Sequence, residues 1–280
     1  MLRTLLALTA ATFFLTHAEA RARKKHKPAP AVAVSVAPSQ AIEERVADEV
    51  ATAQGILNDL ERSNIFESPY VASAVYYHDG FLSAFRADKP DADPTGRVVA
   101  QIARCLTPDT KAGYVRLLHE VWDENGPHAD NARSVLPVSN PETGTRRRRR
   151  AHRYAIDLFA PEGAAVRSAT QGIVILADGN WSGDDPFSTS SLRGGNAVIV
   201  FDPSNDRFYR YCHLESVSVA AGAIIEAGQK IGAVGHTGFN ASRPGHGGHL
   251  HFEVNEYDGR RVWAWNDKQI RALLRALQPI

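Results

Sequence analysis

Gly245-His246-Gly247-Gly248-His249-Leu250-His251-Phe252-Glu253 sets two imidazoles two residues apart, directly after a glycine-rich loop. The continuation Phe252-Glu253-Val254 alternates apolar and charged residues, the pattern of a β-strand. Side chains on a strand repeat every two residues, so His249 and His251 project from one face. Two imidazoles aimed at one point can share a metal, or one can bind it while the other moves protons. A His-x-His pair standing alone is equally the mark of neutral, hydrogen-bonded imidazoles with no such task. The weight therefore falls on the rest of the chain.

Outward from this stretch, the chain from Tyr154 onward has a period of two punctuated by glycines. Strands are predicted at Ala155-Leu158, Ala165-Ser168, Gly172-Ala177, Asn196-Phe201, Arg207-His213, Ile224-Ile225, Lys230-Ala233, His249-Val254 and Arg261-Trp263. So many short strands divided by turns indicate a β-rich domain, a sandwich or a partly closed barrel. The loop from Asp178 to Gly195 is long, polar and glycine-rich, carries Trp181, and has the length of a functional loop. Asn266 to Leu277 closes the chain as a helix, with Ile270, Leu273, Leu274 and Leu277 on one side.

Towards the N-terminus the period changes. Ile42, Val46, Val50, Ala53, Leu57 and Leu60 recur every three to four residues, which predicts a helix. A second helix is expected from Gly96 to Leu106, burying Val99, Ile102 and Cys105. A third starts at Thr107-Pro108-Asp109, a cap followed by proline at the first helical position, and stops near Gly126-Pro127. Its inward residues are Val115, Leu118 and Val121. The whole is thus an α+β chain, with a small helical domain at 41–138 and a β-rich domain at 151–265. A linker at 139–150 joins them, containing five consecutive arginines, Arg146 to Arg150, and a C-terminal helix covers 266–280. Nothing in the helical part has the residue types of a reaction site.

The first 20 residues have a leader pattern: Arg3, then an apolar run from Leu5 to Leu15, then the small-x-small site Ala18-Glu19-Ala20. The run is too short to span a membrane comfortably. Residues 21–40 are basic and then rich in Pro, Ala and Val, as expected of a flexible tether. The mature protein is accordingly expected to be exported, periplasmic or extracellular, without a membrane span. At 280 residues, 44% hydrophobic and 22% charged, it has ample material for a core. A net charge of +1 gives no field for nucleic acid or a membrane surface. Export permits a disulfide, and Cys105 and Cys212 leave a bridge and two buried thiols equally open.

The residues with chemical potential fall in four segments: His152-Arg153-Tyr154-Ala155-Ile156-Asp157, Tyr211-Cys212-His213-Leu214, Gly235-His236-Thr237-Gly238, and His249-Leu250-His251-Phe252-Glu253. A zinc hydrolase needs imidazoles and a carboxylate as ligands, an open position for water, and a further group to move protons. The ordered series Ile-Asp-Leu-Phe-Ala-Pro-Glu-Gly, Gly-Asn-Ala-Val-Ile-Val, Tyr-Cys-His-Leu, Gly-x-Thr-Gly and His-Leu-His-Phe-Glu resembles the lysostaphin-like family. These are the LytM-type, β-lytic zinc metallopeptidases that cut peptidoglycan. The resemblance implies a small twisted antiparallel β domain with one Zn2+ at the floor of a groove. It implies Asp157 and His251 as zinc ligands, and His213 and His249 as the pair that deprotonates the attacking water and stabilises the oxyanion. Its substrate would be peptidoglycan peptide, with cell-envelope proteins as further partners.

Two departures from the family pattern stand out. The first ligand of the family, a histidine four residues before the aspartate, is here Arg153, a cation with no lone pair to give. His152 lies one residue further away and reaches a metal only if the chain absorbs an extra residue at a bulge or kink around Arg153-Tyr154. The loop from Phe239 to Gly248 is lengthened and adds His246, a spare histidine expected to face solvent. A degenerate domain of this type would instead bind or activate another wall hydrolase.

Overall fold

The computed structural model of the chain describes residues 108–127, 134–139, 141–143, 153–184 and 193–277. The leader, the tether, the helices expected before residue 107, the arginine run and His152 lie outside the described residues. No helix among the described residues is long and apolar enough to cross a membrane.

The chain runs α1 (Pro108–Asn125), β1 (Glu142–Thr143), β2 (Ile156–Phe159), β3 (Ala165–Arg167), β4 (Gly172–Asp178) and β5 (Ala197–Asp202). It continues through β6 (Arg207–Cys212), β7 (Leu214–Val217), β8 (Ile224–Ile225), β9 (Lys230–Val234), β10 (His249–Tyr257), β11 (Val262–Ala264) and α2 (Asp267–Ala276). The larger sheet has the order β1-β2-β10-β6-β5-β4-β8, with β11 added to β10, and a smaller one has the order β3-β9-β7. Every pairing is antiparallel. This is the β-rich architecture expected from the period-two pattern.

The core lies where the two sheets face each other. Leu250, Phe252 and Val254 of β10 alternate into it and are fully buried, beside Ile156 and Leu158 of β2 and Leu214, Ile231 and Val234 of the smaller sheet. Burying a residue such as Phe252 stabilises the fold by about 1.5–3 kcal/mol through the water it sheds. The alternate residues of β10 look the other way, and there the histidines stand. α2 and its C-terminal cap close the core with Ile270 and Leu277. It starts where predicted: the Asn266 side chain accepts from the amides of Lys268 and Gln269, and the Gln269 side chain returns a bond to the Asn266 amide. That reciprocal cap satisfies donors that a helix start otherwise leaves open.

Residues 135–138, at the end of the expected helical unit, and Glu142–Thr143, in the expected linker, both make backbone contacts with the β-rich part. Val138 is fully buried in the core, the Val135 amide donates to the Ala169 carbonyl, and the Arg167 amide donates to the Pro137 carbonyl. Glu142 and Thr143 then pair with Phe159 and Leu158 as an edge strand. So short a strand has too few residues to show a period, whereas an open sheet edge at β2 draws in any chain that can supply backbone partners. α1 ends at Asn125, as the Gly126-Pro127 stop dictates, and buries Val115 and Leu118. It docks onto the sheet: His119 Nε2 lies 2.6 Å from Asp206 Oδ1, and its ring meets Phe201 edge-on at 5.6 Å.

Tyr209, on β6, is buried, and burial and the nearby Asp202 carboxylate push its hydroxyl up to about 12. Burial also pushes up Tyr211 and Tyr114. A tyrosine with a raised folded pKa stabilises fully below its unfolded value of about 10, and loses that contribution as pH rises through the folded value. Urea unfolding should therefore show stability falling between pH 10 and 12. Tyr209→Phe should flatten that fall by up to about 3 kcal/mol.

Candidate active site

The antiparallel registers assemble the site. His251 of β10 sits opposite Asp157 of β2 on one side and Cys212 of β6 on the other. Directly opposed residues share a face, so the carboxylate, the imidazole and the thiol point the same way. His251 Nδ1 lies 3.2 Å from Asp157 Oδ1, and His249 Nε2 lies 3.9 Å from that same oxygen. Phe159 flanks the His249 ring, with centroids 5.3 Å apart.

His213 joins this cluster by a different route. The strand expected to run through His213 ends at Cys212. A regular strand would send residue 213 to the core face, opposite Cys212. Instead His213 adopts φ 64°, a left-handed conformation that histidine tolerates better than most side chains. Its ring then stands 4.9 Å from that of His249 and 5.4 Å from that of His251. The kink is pinned from outside: the His213 amide donates to the Gly194 carbonyl, the Asn196 side chain donates to the Leu214 carbonyl, and the Asn196 amide donates to Thr237 Oγ1.

Gly195 makes this packing possible, since it has φ 62° and a Cβ there would lie 2.4 Å from the Thr237 carbonyl carbon. Gly195→Ala should lower stability by about 2–4 kcal/mol, through strain and backbone displacement together. Urea denaturation at neutral pH checks it.

The hydrogen bonds of the rings divide the histidines into two kinds. His213 Nδ1–H donates to the Thr237 carbonyl at 2.7 Å, and His249 Nδ1–H donates to the Gly247 carbonyl at 2.8 Å. A carbonyl only accepts, so each Nδ1 carries a proton and each neutral ring keeps its free lone pair on Nε2. His251 is placed the opposite way, with Nε2 2.7 Å from Glu253 Oε1 and Nδ1 facing Asp157. Burial, then the positive charges that His251 and His249 can take, hold His213 well below its ordinary value, so it is neutral at neutral pH. Burial pushes Glu253 up to about 8, although Arg210 Nη1 is 3.7 Å from its Oε2. Burial likewise pushes up the thiol of Cys212, which is free.

The donor types suit two positions of a zinc ion, because Asp157 Oδ1 and His251 Nδ1 lie 3.2 Å apart. No set of three His, Cys, Asp or Glu side chains among the described residues is arranged to hold a metal. His152, the expected third ligand, lies outside them. Arg153 and Tyr154 form a turn before β2, and the exposed Arg153 guanidinium lies 5.3 Å from the Tyr154 ring centre. His246 is exposed on the loop leading to β10. In that loop His236 Nδ1 is 3.0 Å from Glu162 Oε1, and Arg243 lies over the exposed ring of Phe239. The residues missed from sequence are Glu253 and Thr237. Glu253 was within reach, since it follows His251 by two and so shares its face. Thr237 acts through its main-chain carbonyl, which no side-chain pattern reveals.

Residues 151–264 match the model of peptidase family M23. The chain is 30% identical over 124 residues to the L-Ala–D-Glu endopeptidase of Bacillus subtilis (strain 168), across 42% of this chain and 33% of that protein. It is 31% identical over 107 residues to the murein hydrolase activator NlpD of Escherichia coli (strain K12), across 38% of this chain and 24% of that one. It therefore spans a third of the length of these curated relatives or less. Among solved structures it is similar to lysostaphin from Staphylococcus simulans, with a TM-score of 0.36 and 21% identity over 53% of this chain and 56% of that one. Through residues 151–264, under half of its length, the chain is similar to peptidase family M23.

Proposed function

We propose that this is an exported zinc endopeptidase that hydrolyses peptide cross-links of bacterial peptidoglycan. The observation that carries the reading is the division among the three rings: two present Nε2 lone pairs while the third presents Nδ1 to a carboxylate. Histidines kept only for packing have no reason to converge beside a shared carboxylate with opposite nitrogens turned towards it. Asp157 and His251 would hold the metal, with His152, which precedes the turn at Arg153-Tyr154 in sequence, as the proposed third ligand. When bound, zinc supplies Lewis-acid polarisation of the water and the scissile carbonyl. His249 Nε2, beside Asp157, accepts the proton of the attacking water as its oxygen bonds the carbonyl carbon. The His213 ring stands 4.9 Å from that of His249, so once protonated it would steady the developing oxyanion. The proton then passes to the departing amine as the carbon–nitrogen bond breaks. Export rests on the leader pattern of the first 20 residues.

A second reading is favoured by one feature. Arg153 stands where the family places its first ligand, and a chain with an incomplete metal site would serve as an activator of another wall hydrolase. The discriminating experiment incubates the full-length mature protein, with zinc, on purified sacculi and follows released muropeptides by mass spectrometry. New peptide termini that vanish in His152→Ala support the endopeptidase and its third ligand. No new termini, together with faster digestion when a wall amidase is added, establishes the activator.

A further inference from the structure

We propose that Phe239 and Arg243 form a subsite that holds a free carboxylate of the peptide substrate beside the proposed catalytic histidines. The subsite rests on the peptidase reading above, which supplies the class of its ligand, a wall peptide bearing free carboxylates. Phe239 is 44% exposed, and among the described residues only it and Leu117 are large apolar side chains so open to water. The Arg243 guanidinium lies over its ring, 4.7 Å from the centre. A guanidinium stacked on a ring keeps its N–H edges out of that contact, and its planar fork matches the two oxygens of a carboxylate.

The loop holds this pair in place. The Ser242 amide donates to the Gly238 carbonyl, the Arg243 amide to the Asn240 carbonyl, and the His246 amide to the Arg243 carbonyl, so the segment is a run of closed turns. Phe239 and Arg243 are four residues apart on it, the spacing at which side chains meet across a helical turn. Ala241, between them, is buried and anchors the turns. Gly238 has φ 99°, and a Cβ there would lie 2.4 Å from the Arg193 carbonyl oxygen, so the start of the loop is seated against the neighbouring chain. Both ends of the loop meet the site. Thr237, whose carbonyl accepts from His213 Nδ1–H, precedes Phe239 by two residues, a reach of at most about 7 Å. At the other end the His249 amide donates to the Gly235 carbonyl. Residues 236–248 contain Arg243 and no Asp or Glu. Glu162, whose turn packs against Gly248, is engaged by His236 Nδ1 at 3.0 Å. The loop therefore offers a positive charge on an apolar ring, which draws an anionic group and repels a cationic one.

The test uses the full-length mature protein with zinc and two synthetic cross-linked wall peptides. They are identical except that one has free carboxylates and the other has them amidated. Affinities are read by fluorescence anisotropy of labelled peptide, in the cold and before turnover, while cleavage of sacculi is scored as described above. The wild type should bind the free-carboxylate peptide about 10-fold more tightly, the strength of a charge-assisted contact at a site open to solvent. In Arg243→Gln the two affinities should come within about twofold, because the fork is gone. Arg260→Gln, which removes an exposed arginine in the turn at the other end of β10, should keep the wild-type preference. Equal binding of both peptides by the wild type, or a preference that survives Arg243→Gln, overturns the subsite and leaves the peptidase reading intact. A preference lost equally in Arg260→Gln reduces it to overall charge and also overturns the subsite. A preference carried by Arg243 alone, in a protein that cuts no sacculi, upholds the subsite and overturns the peptidase reading.

Discussion

His251→Ala should strip zinc from the protein and reduce peptidoglycan hydrolysis to background, a loss on the order of 10³-fold or more. His251 is the residue on which the site converges: Asp157 faces one of its nitrogens, Glu253 the other, and the His213 ring stands 5.4 Å away. Without it the histidine left beside Asp157 among the described residues is His249, whose Nε2 is 3.9 Å away and serves proton transfer on the proposed reading. The substitution should leave the fold in place. Backbone pairing holds β10 between β2 and β6, and its apolar residues Leu250 and Phe252 remain in the core. Zinc per chain by elemental mass spectrometry, muropeptide release and far-ultraviolet circular dichroism together check this. Full zinc occupancy in the variant would move the metal site away from β10.

His213→Asn should give the complementary result, with zinc retained and kcat lowered by about 10²–10⁴-fold, the usual contribution of a positioned proton-transfer group. Asparagine is chosen because residue 213 has φ 64°, and asparagine is among the few residues that accept the left-handed region at little cost. The kink therefore survives while the imidazole is lost. Burial and its histidine neighbours keep His213 neutral, so nothing in the site depends on its charge for cohesion. Zinc stoichiometry and steady-state kinetics on a cross-linked muropeptide separate the two effects. Loss of metal in His213→Asn would make His213 a ligand and overturn the division of roles.

Much of the site was legible because its logic is local. The period of two along β10 requires His249 and His251 to share a face, whatever the remainder of the chain does. The capping box at Asn266 and the Gly126-Pro127 stop likewise act within a few residues, and the helix boundaries at both places match expectation. Nine of the strands between Ile156 and Ala264 fall where their own short runs of residues predict them. Two strands escaped such a reading. β1 is two residues long, and β7 follows β6 after the single residue His213, so neither shows a break in pattern.

What sequence alone determined is which side chains are available and which of them share a strand face, because backbone geometry repeats within the strand itself. Tertiary structure decided how those side chains work. Register between β2, β10 and β6 set Asp157, His251 and Cys212 side by side, and register depends on hydrogen bonds between segments distant in the chain. The turn of His213 towards His249 and His251 depends on Gly194, Asn196 and Thr237, three residues from two other loops. Which nitrogen His213 and His249 leave free is settled by the acceptor behind the ring, the carbonyl of Thr237 or of Gly247. An imidazole has two nearly equivalent nitrogens, so only the three-dimensional placement of those acceptors breaks the tie.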